Sequence, residues 1–124
     1  MLNGTAHAAI AVSDLDRGRK FYEESLGLKT KEERSDGILY ETGDTWFLVY
    51  QSSFAGTNQA TAMAFEVADL ETTAEDLRGR GVTFEQYDLP GLKTDERGIA
   101  EIEGNRAAWF KDLDGNILAV NQRR

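Results

Sequence analysis

One short segment occurs twice in this chain, and this repetition constrains the fold more than any other feature. Ala9–Leu15 reads AIAVSDL and Ala64–Leu70 reads AFEVADL, an offset of 64 − 9 = 55 residues with four of seven positions identical. Each copy begins with alternating apolar residues, reaches an aspartate, and continues into a helix-like stretch that ends at a glycine. Such a repeat is typical of one supersecondary unit used twice. The sequence therefore predicts two similar modules, with a cleft between them in which any function should sit.

Composition narrows the class of protein. The 124 residues suit one domain, and the absence of cysteine excludes a disulfide framework and a thiolate zinc site. The formal net charge of −8 argues against a nucleic-acid partner, which would need a basic face on the protein. No apolar run approaches the roughly 18 residues of a membrane span, and the N-terminal residues lack a signal-peptide pattern. We therefore expect a soluble, cytoplasmic protein without nucleic-acid or membrane partners.

The first module is predicted to cover about residues 1–52. Hydrophobic periodicity and turn residues predict four strands and one helix in it: a strand over 5–12, a helix capped by Ser13 or Asp14 and ended by Gly27, a polar edge strand over 28–34, and a hairpin of 37–42 and 45–51 across Gly43-Asp44. Residues 52–60 are small and polar and are predicted to be a linker.

The second module, about residues 61–124, is predicted to follow the same plan. Its expected elements are a strand over 61–68, a helix capped by Asp69 and carrying Leu70, Ala74 and Leu77, a strand over 82–89, a charged loop over 92–98, and a hairpin of 106–111 and 116–122 across Asp112–Gly115. Each module is then βαβββ. Because helices are few and strands many, the sequence favours an α+β fold over a doubly wound parallel sheet.

Four segments of the chain resemble the vicinal oxygen chelate superfamily, which includes glyoxalase I, bleomycin-resistance proteins, fosfomycin-resistance proteins and extradiol dioxygenases. These segments are HAAIAVSD at 7–14, FYEESLG at 21–27, FEVAD at 65–69 and AWFKDLDGN at 108–116. The family pattern DPDGN reads DLDGN here, so Leu113 stands where proline is usual. The resemblance implies two βαβββ modules in a single domain, whose sheets curl into an open cup, and many members of the family are dimers.

The resemblance also implies where a metal would bind. Metal-dependent members place ligands at four inward positions, which correspond here to His7, Leu48, Ala62 and Ala119. Only His7 has a ligand atom, and a zinc or iron site normally needs three protein ligands. We therefore expect no metal and no other cofactor. The alternative is an atypical site in which nearby acids compensate, and its candidates are Glu41, Glu66 and Glu101.

The only histidine and one aromatic strand are the remaining candidates for a site. His7 is interpreted as a ligand contact or general base, or else as a hydrogen-bonded residue that lines the cup without chemistry. On the strand 45–51, alternation puts Trp46, Leu48 and Tyr50 on one face and the residues between them on the other. The first face is expected to line the cup opposite His7, although these side chains could instead simply fill the core.

These patterns favour one function and leave a second open. The favoured function is that of a metal-free protein that binds an apolar or aromatic small molecule in the cup. The resemblance also implies a homodimer. The proposed ligand-binding residues are His7, Trp46, Leu48, Tyr50, Ala62 and Ala119. The alternative is an enzyme of the same superfamily, a lyase, isomerase or dioxygenase, with an atypical metal site or with His7 as acid or base.

Overall fold

The first module forms a four-stranded sheet, here called sheet one. The computed structural model describes residues 1–124. The elements of the first module are β1 (Ala9–Val12), α1 (Leu15–Arg19), β2 (Lys29–Arg34), β3 (Gly37–Thr42) and β4 (Thr45–Gln51). The strand order is β1-β4-β3-β2, with β1 parallel to β4 and the other pairs antiparallel. The predicted edge strand and hairpin are confirmed, whereas the first strand begins at Ala9 rather than at residue 5.

The predicted first helix is confirmed, but it changes its winding midway. The Asp14 side chain caps α1 by accepting hydrogen bonds from the backbone N–H groups of Asp16 and Arg17. A π-helical turn over Lys20–Ser25 follows directly, and its wider winding continues in the bond from Leu26 N to Phe21 O, five residues back.

The second module forms a second sheet of the same design, here called sheet two. Its elements are β5 (Thr61–Glu66), α2 (Leu70–Gly79), β6 (Asp88–Leu89), β7 (Leu92–Lys93), β8 (Ile99–Ile102), β9 (Asn105–Lys111) and β10 (Ile117–Gln122). The strand order is β5-β10-β9-β8, and β5 is parallel to β10. The Asp69 cap and the buried positions Leu70, Ala74 and Leu77 of α2 are confirmed.

The predicted strand over 82–89 is wrong as a continuous element. Phe84 makes a single bridge to Phe110 of β9, and the edge of sheet two is then completed by β8. Between them, β6 and β7 form a small separate hairpin, part of which lies in the segment predicted to be a loop. The edge strand is therefore interrupted by an insertion of residues 86–97.

Gly98 closes this insertion against the strand that it left. Its φ is +83°, and a Cβ atom at this position would lie 2.9 Å from both the Phe84 Cβ and the Glu85 backbone oxygen. Only glycine fits such a close approach without strain. The sequence around the insertion, with Pro90-Gly91 and mixed charges, gives no sign that the chain returns to the same edge.

Both modules contribute to one hydrophobic core. A cluster of 15 buried residues draws on the π-helical turn, on α2, and on the inner faces of both sheets, and Leu15 of α1 packs against it. Phe47 of β4 and Phe65 of β5 meet edge to face across the modules, with ring centroids 6.0 Å apart. The strands form two separate four-stranded sheets, which do not close into a barrel. Neither helix is long and apolar enough to cross a membrane.

The turn between β9 and β10 joins the modules through a buried carboxylate. Asp112, only 6% exposed, accepts hydrogen bonds from the Tyr22 hydroxyl at 2.7 Å, from the backbone N–H groups of Asp114 and Asn116 at 2.9 Å, and from the Asn116 side chain at 2.7 Å. Burial, and next the charge of Asp112, raise the pKa of the Tyr22 hydroxyl well above its usual range.

Two further side chains of the same turn reach the first module. Asp114 accepts from the Ser13 hydroxyl at 2.6 Å and from the Ser13 backbone N–H at 2.9 Å. Asn116 donates to the Ala11 carbonyl at 2.7 Å and accepts from the Gly56 N–H at 3.3 Å. The turn was predicted only as a hairpin connection, and it also holds the start of α1 and the linker in place.

Candidate functional site

His7 and Trp46 form a stacked aromatic pair at the start of sheet one. Because Ala9 of β1 lies beside Leu48 of β4, the residues two positions earlier also lie side by side. The ring centroids of His7 and Trp46 are 3.5 Å apart, and the ring planes differ by 10°. The imidazole Nδ1 lies 2.8 Å from the Trp46 backbone oxygen and 3.3 Å from the Thr45 hydroxyl. The imidazole is thus fixed both by stacking and by a hydrogen bond.

The predicted alternation along β4 is confirmed. Phe47 and Val49 are buried, at 2% and 0% exposure, and both belong to the shared core. Trp46, Leu48 and Tyr50 are half-buried on the opposite, open face of the strand. Trp46, Leu48 and Tyr50 therefore lie outside the shared core cluster.

The expected position of His7 relative to this strand needs correction. His7 was expected to lie opposite Trp46, Leu48 and Tyr50 across the cup, yet it stacks directly on Trp46. The physical reason is the parallel register of β1 and β4, which makes the two residues neighbours in one sheet. Alternation within one strand cannot reveal that register.

A small groove lies beside the stacked pair. Its volume is about 150 Å³, and it is bounded by residues 6–8 just before β1, by the β3–β4 hairpin and by the edge strand β5. Seven of its ten lining residues are hydrophobic, and the lining comprises Ala6, His7, Ala8, Thr42, Thr45, Trp46, Phe47, Met63, Ala64 and Phe65. The groove is apolar, with His7 and two threonines as its only polar side chains.

A larger cavity of about 560 Å³ lies on the open face of sheet two and shares Ala64 with the groove. Three of its four charged side chains, Glu66, Arg106 and Arg123, are engaged in ion pairs. Glu66 pairs with Arg123 at 2.8 Å, and Arg106 pairs with Glu71 of α2 at 2.8 Å. Although this cavity is larger, we place the candidate site at the groove, because the groove is where apolar surface and the histidine converge.

The four positions implied for metal ligands do not form a donor set. Leu48 and Ala119 have no ligand atom, Ala119 is only 2% exposed, and Ala62 is an exposed alanine at an irregularity of the β5–β10 register. No group of three or more histidine, aspartate or glutamate side chains has the arrangement of a metal site. The side chains present therefore do not fit a transition-metal ion with His7.

The three acids considered as substitutes lie apart from such a site. Glu41 is exposed on β3, beside Trp46 across the strand pair. Glu66 is held by Arg123, and Glu101 is exposed on β8 beside Arg106. None of them joins His7 in a group of three ligands.

Comparison with known proteins identifies the same fold. A family model described as the Glyoxalase/Bleomycin resistance protein/Dioxygenase superfamily matches residues 4–120. Among solved structures, UcmS2 is similar with a TM-score of 0.76 at 20% identity, covering 98% of each chain.

Two further solved structures are similar over nearly their full length. A glyoxalase/bleomycin resistance protein/dioxygenase from Alicyclobacillus acidocaldarius has a TM-score of 0.73 at 18% identity, covering 98% of this chain and 92% of that one. The fosfomycin resistance protein FosX from Listeria monocytogenes has a TM-score of 0.71 at 16% identity, covering 100% and 96%. At these identities the likeness to solved structures establishes the fold alone.

Proposed function

This chain belongs to the glyoxalase/bleomycin resistance protein/dioxygenase superfamily, and we propose that it is a metal-free protein that binds a small, planar, apolar or aromatic molecule. The observation that carries the proposal is the His7–Trp46 stack at the edge of an apolar groove. The Trp46 indole is half-buried and already held in one orientation, so a ligand can stack on its flat surface with little further loss of side-chain entropy. The ligand lies in the groove against this pair.

The size of the groove limits the ligand. Its volume of about 150 Å³ is close to that of engineered apolar cavities of about 150 Å³ that bind benzene. The part of the ligand that the groove holds is therefore a single ring or two fused rings. Leu48 and Tyr50 share the face of β4 that carries Trp46 but lie outside the lining of the groove, and Ala62 and Ala119 do not line it either.

Indole is the direct probe of this binding function. We expect saturable binding by isothermal titration calorimetry, with shifts of the Trp46, Met63 and Phe65 signals in NMR spectra. A titration without heat and without signal changes in the groove would contradict the proposal.

The metal-free state is supported by the lost donor set at Leu48, Ala62 and Ala119. Zinc and iron sites normally use three protein ligands, and one imidazole does not replace them. Protein purified without chelator should contain far less than one equivalent of zinc, iron, manganese or nickel by elemental analysis. Adding these ions should also leave the melting temperature unchanged, since a ligand that binds the native state raises it. About one bound metal per chain would refute the metal-free state.

A second candidate function is an enzyme in which His7 acts as acid or base. It is favoured by the position of a lone imidazole at the groove. Fosfomycin is a suitable first substrate to test, because solved fosfomycin resistance proteins share the fold. The binding proposal expects unchanged ³¹P NMR signals of fosfomycin on incubation with the protein, with or without Mn²⁺. Appearance of a new phosphorus signal that His7→Ala abolishes would favour the enzyme.

We further propose that the protein is a homodimer with twofold symmetry. The edge strands β1 and β5 each have a neighbour on one side only, and both are apolar. Unprotected apolar edges favour pairing. Phe54 and Ile102, at 76% and 42% exposure, add uncovered apolar surface. Light scattering should give twice the chain mass of 13.8 kDa, and a monomer mass at micromolar concentration would exclude the dimer.

A further inference from the structure

The hydrogen bond between His7 and Trp46 fixes which ring nitrogen carries the proton. The imidazole Nδ1 lies 2.8 Å from the Trp46 backbone oxygen. A carbonyl oxygen can only accept a hydrogen bond, so Nδ1 must be the donor. A neutral imidazole has a single N–H, which leaves Nε2 as an unprotonated acceptor.

The ring cannot easily exchange the roles of its two nitrogens. A rotation of the imidazole by half a turn about its Cβ–Cγ bond would keep the stack on Trp46, with ring centroids 3.5 Å apart, but it would place the Cδ2 carbon against the carbonyl oxygen. The Thr45 hydroxyl, 3.3 Å from Nδ1, favours the same orientation because its oxygen can accept from that N–H as well. The stack and the two oxygens together hold Nε2 on the remaining side of the ring.

Nε2 is accessible and has no partner within the chain. The hydrogen bonds of His7 to Trp46 and Thr45 both use Nδ1. No buried polar side-chain atom lacks a hydrogen-bond partner, so an atom without one, such as Nε2, must reach the surface of the molecule. His7 lines the groove, whose other polar side chains are Thr42 and Thr45. Because His7 lines the groove, we take Nε2 as the nitrogen that a ligand in the groove meets, and a neutral ring can accept a hydrogen bond there but cannot donate one.

From this geometry we infer that the ligand is a planar ring system with an N–H or O–H group at its edge, which donates a hydrogen bond to Nε2 of His7. The inference deepens the proposed function and rests on it, since it names the chemistry of the molecule that the groove holds. A ring of the same size without such a donor leaves Nε2 unpaired after desolvation and binds less tightly. We expect a difference in affinity of about tenfold.

Two isomers of methylindole test the inference directly. In 3-methylindole the ring N–H is free, whereas in 1-methylindole a methyl group replaces that hydrogen, so both molecules have the same size and composition. Titration calorimetry should give about tenfold tighter binding of 3-methylindole to the wild-type protein. His7→Phe keeps a flat ring that can stack on Trp46 and removes both nitrogens, so it should equalise the two isomers.

The tautomer can also be measured on the wild-type protein without any variant. His7 is the only histidine of the chain, so its signals in a two-bond ¹H–¹⁵N correlation spectrum need no assignment. In mildly alkaline solution we expect a protonated Nδ1 and an unprotonated Nε2. A spectrum with the proton on Nε2 would overturn the inference even if His7→Phe does not fold.

The outcomes separate the inference from the function on which it rests. Equal binding of both isomers by the wild-type protein would overturn the donor requirement and leave the binding function standing. If indole and both isomers fail to bind, the proposed function falls and the donor requirement falls with it. Tighter binding of 3-methylindole that persists in His7→Phe would assign the selectivity to another group and would also overturn the inference.

Discussion

The two repeats end their hairpins in turns of opposite character. In sheet one the turn is Gly43-Asp44, which is exposed and borders the groove through its neighbours Thr42 and Thr45. In sheet two the turn spans 112–116 and is built around a buried carboxylate that bonds to the other module. The same hairpin therefore serves a candidate binding site in one copy and the stability of the domain in the other.

The open faces of the two sheets differ in the same way. His7 and its repeat equivalent, 7 + 55 = 62, are a stacked imidazole in the first copy and an exposed alanine in the second. Sheet one is aromatic at its start, whereas sheet two carries ion pairs such as Glu66–Arg123. The two copies share one backbone plan but carry different side chains, and the proposed binding role falls to the first copy alone.

The largest expected effect is at the turn of sheet two. Asp112→Ala should lower the free energy of unfolding by about 5 kcal/mol, because the buried Tyr22 hydroxyl and two backbone N–H groups would lose their acceptor. The matched change in sheet one, Asp44→Ala, removes an exposed carboxylate and should cost at most about 0.5 kcal/mol. Urea unfolding of both variants provides the measurement. Similar losses for the two variants would mean that the turns do not differ in role.

The second expected effect separates the two faces of β4. Phe47→Ala should cost about 4 kcal/mol in stability, because it empties a core site between the modules. Trp46→Ala should cost about 1 kcal/mol, since its ring is half-buried on the open face. Thermal and urea unfolding of the pair would test this, and a greater loss from Trp46→Ala would place Trp46 in the core.

The third effect concerns pH and the buried tyrosines. Tyr22→Phe removes one hydrogen bond to Asp112 and should cost about 2 kcal/mol at neutral pH. Burial raises the pKa of Tyr22, and burial followed by the bond to Glu23 raises that of Tyr40. The pKa of each hydroxyl is therefore higher in the folded state than in the unfolded state, where it is about 10. The protonated hydroxyls stabilise the fold fully below this pH, and the stabilisation declines as the pH rises above it.

The measurement for these tyrosines is the free energy of unfolding between neutral pH and pH values above about 10. The wild-type protein should lose stability steadily over the alkaline part of this range. Tyr22→Phe should show a shallower decline than the wild type, with the remaining slope due to Tyr40 and Tyr87, whose pKa values burial also raises. Parallel curves for wild type and Tyr22→Phe would exclude Tyr22 as a source of the alkaline instability.

Much of the fold could be predicted because its signals are local. Asp14 and Asp69 precede helices, glycines follow them, and the hairpin at Gly43-Asp44 is marked by alternation on both sides. The insertion over 86–97 could not be predicted, since the return of the chain beside Phe84 depends on contacts distant in sequence.

The candidate site was predictable to a similar degree. Alternation identified the open face of Trp46, Leu48 and Tyr50, because strand geometry alone decides it. The contact of His7 with Trp46 depends on the parallel register between β1 and β4, which no local pattern encodes. The role of Asp112 was missed for the same reason, since its partner Tyr22 lies 90 residues away in the chain.

The central claim is that repeat one provides the binding site, and the affinity for indole of two tryptophan variants tests it most directly. Trp46→Ala removes the indole that stacks on His7, and Trp109→Ala removes the only other tryptophan, on the open face of sheet two. Titration calorimetry should show that Trp46→Ala weakens indole binding by about tenfold or more, an effect of about 1–3 kcal/mol. Trp109→Ala should leave the dissociation constant within about twofold of the wild-type value. Weakened binding in Trp109→Ala together with unchanged binding in Trp46→Ala would contradict the claim and place the site on repeat two.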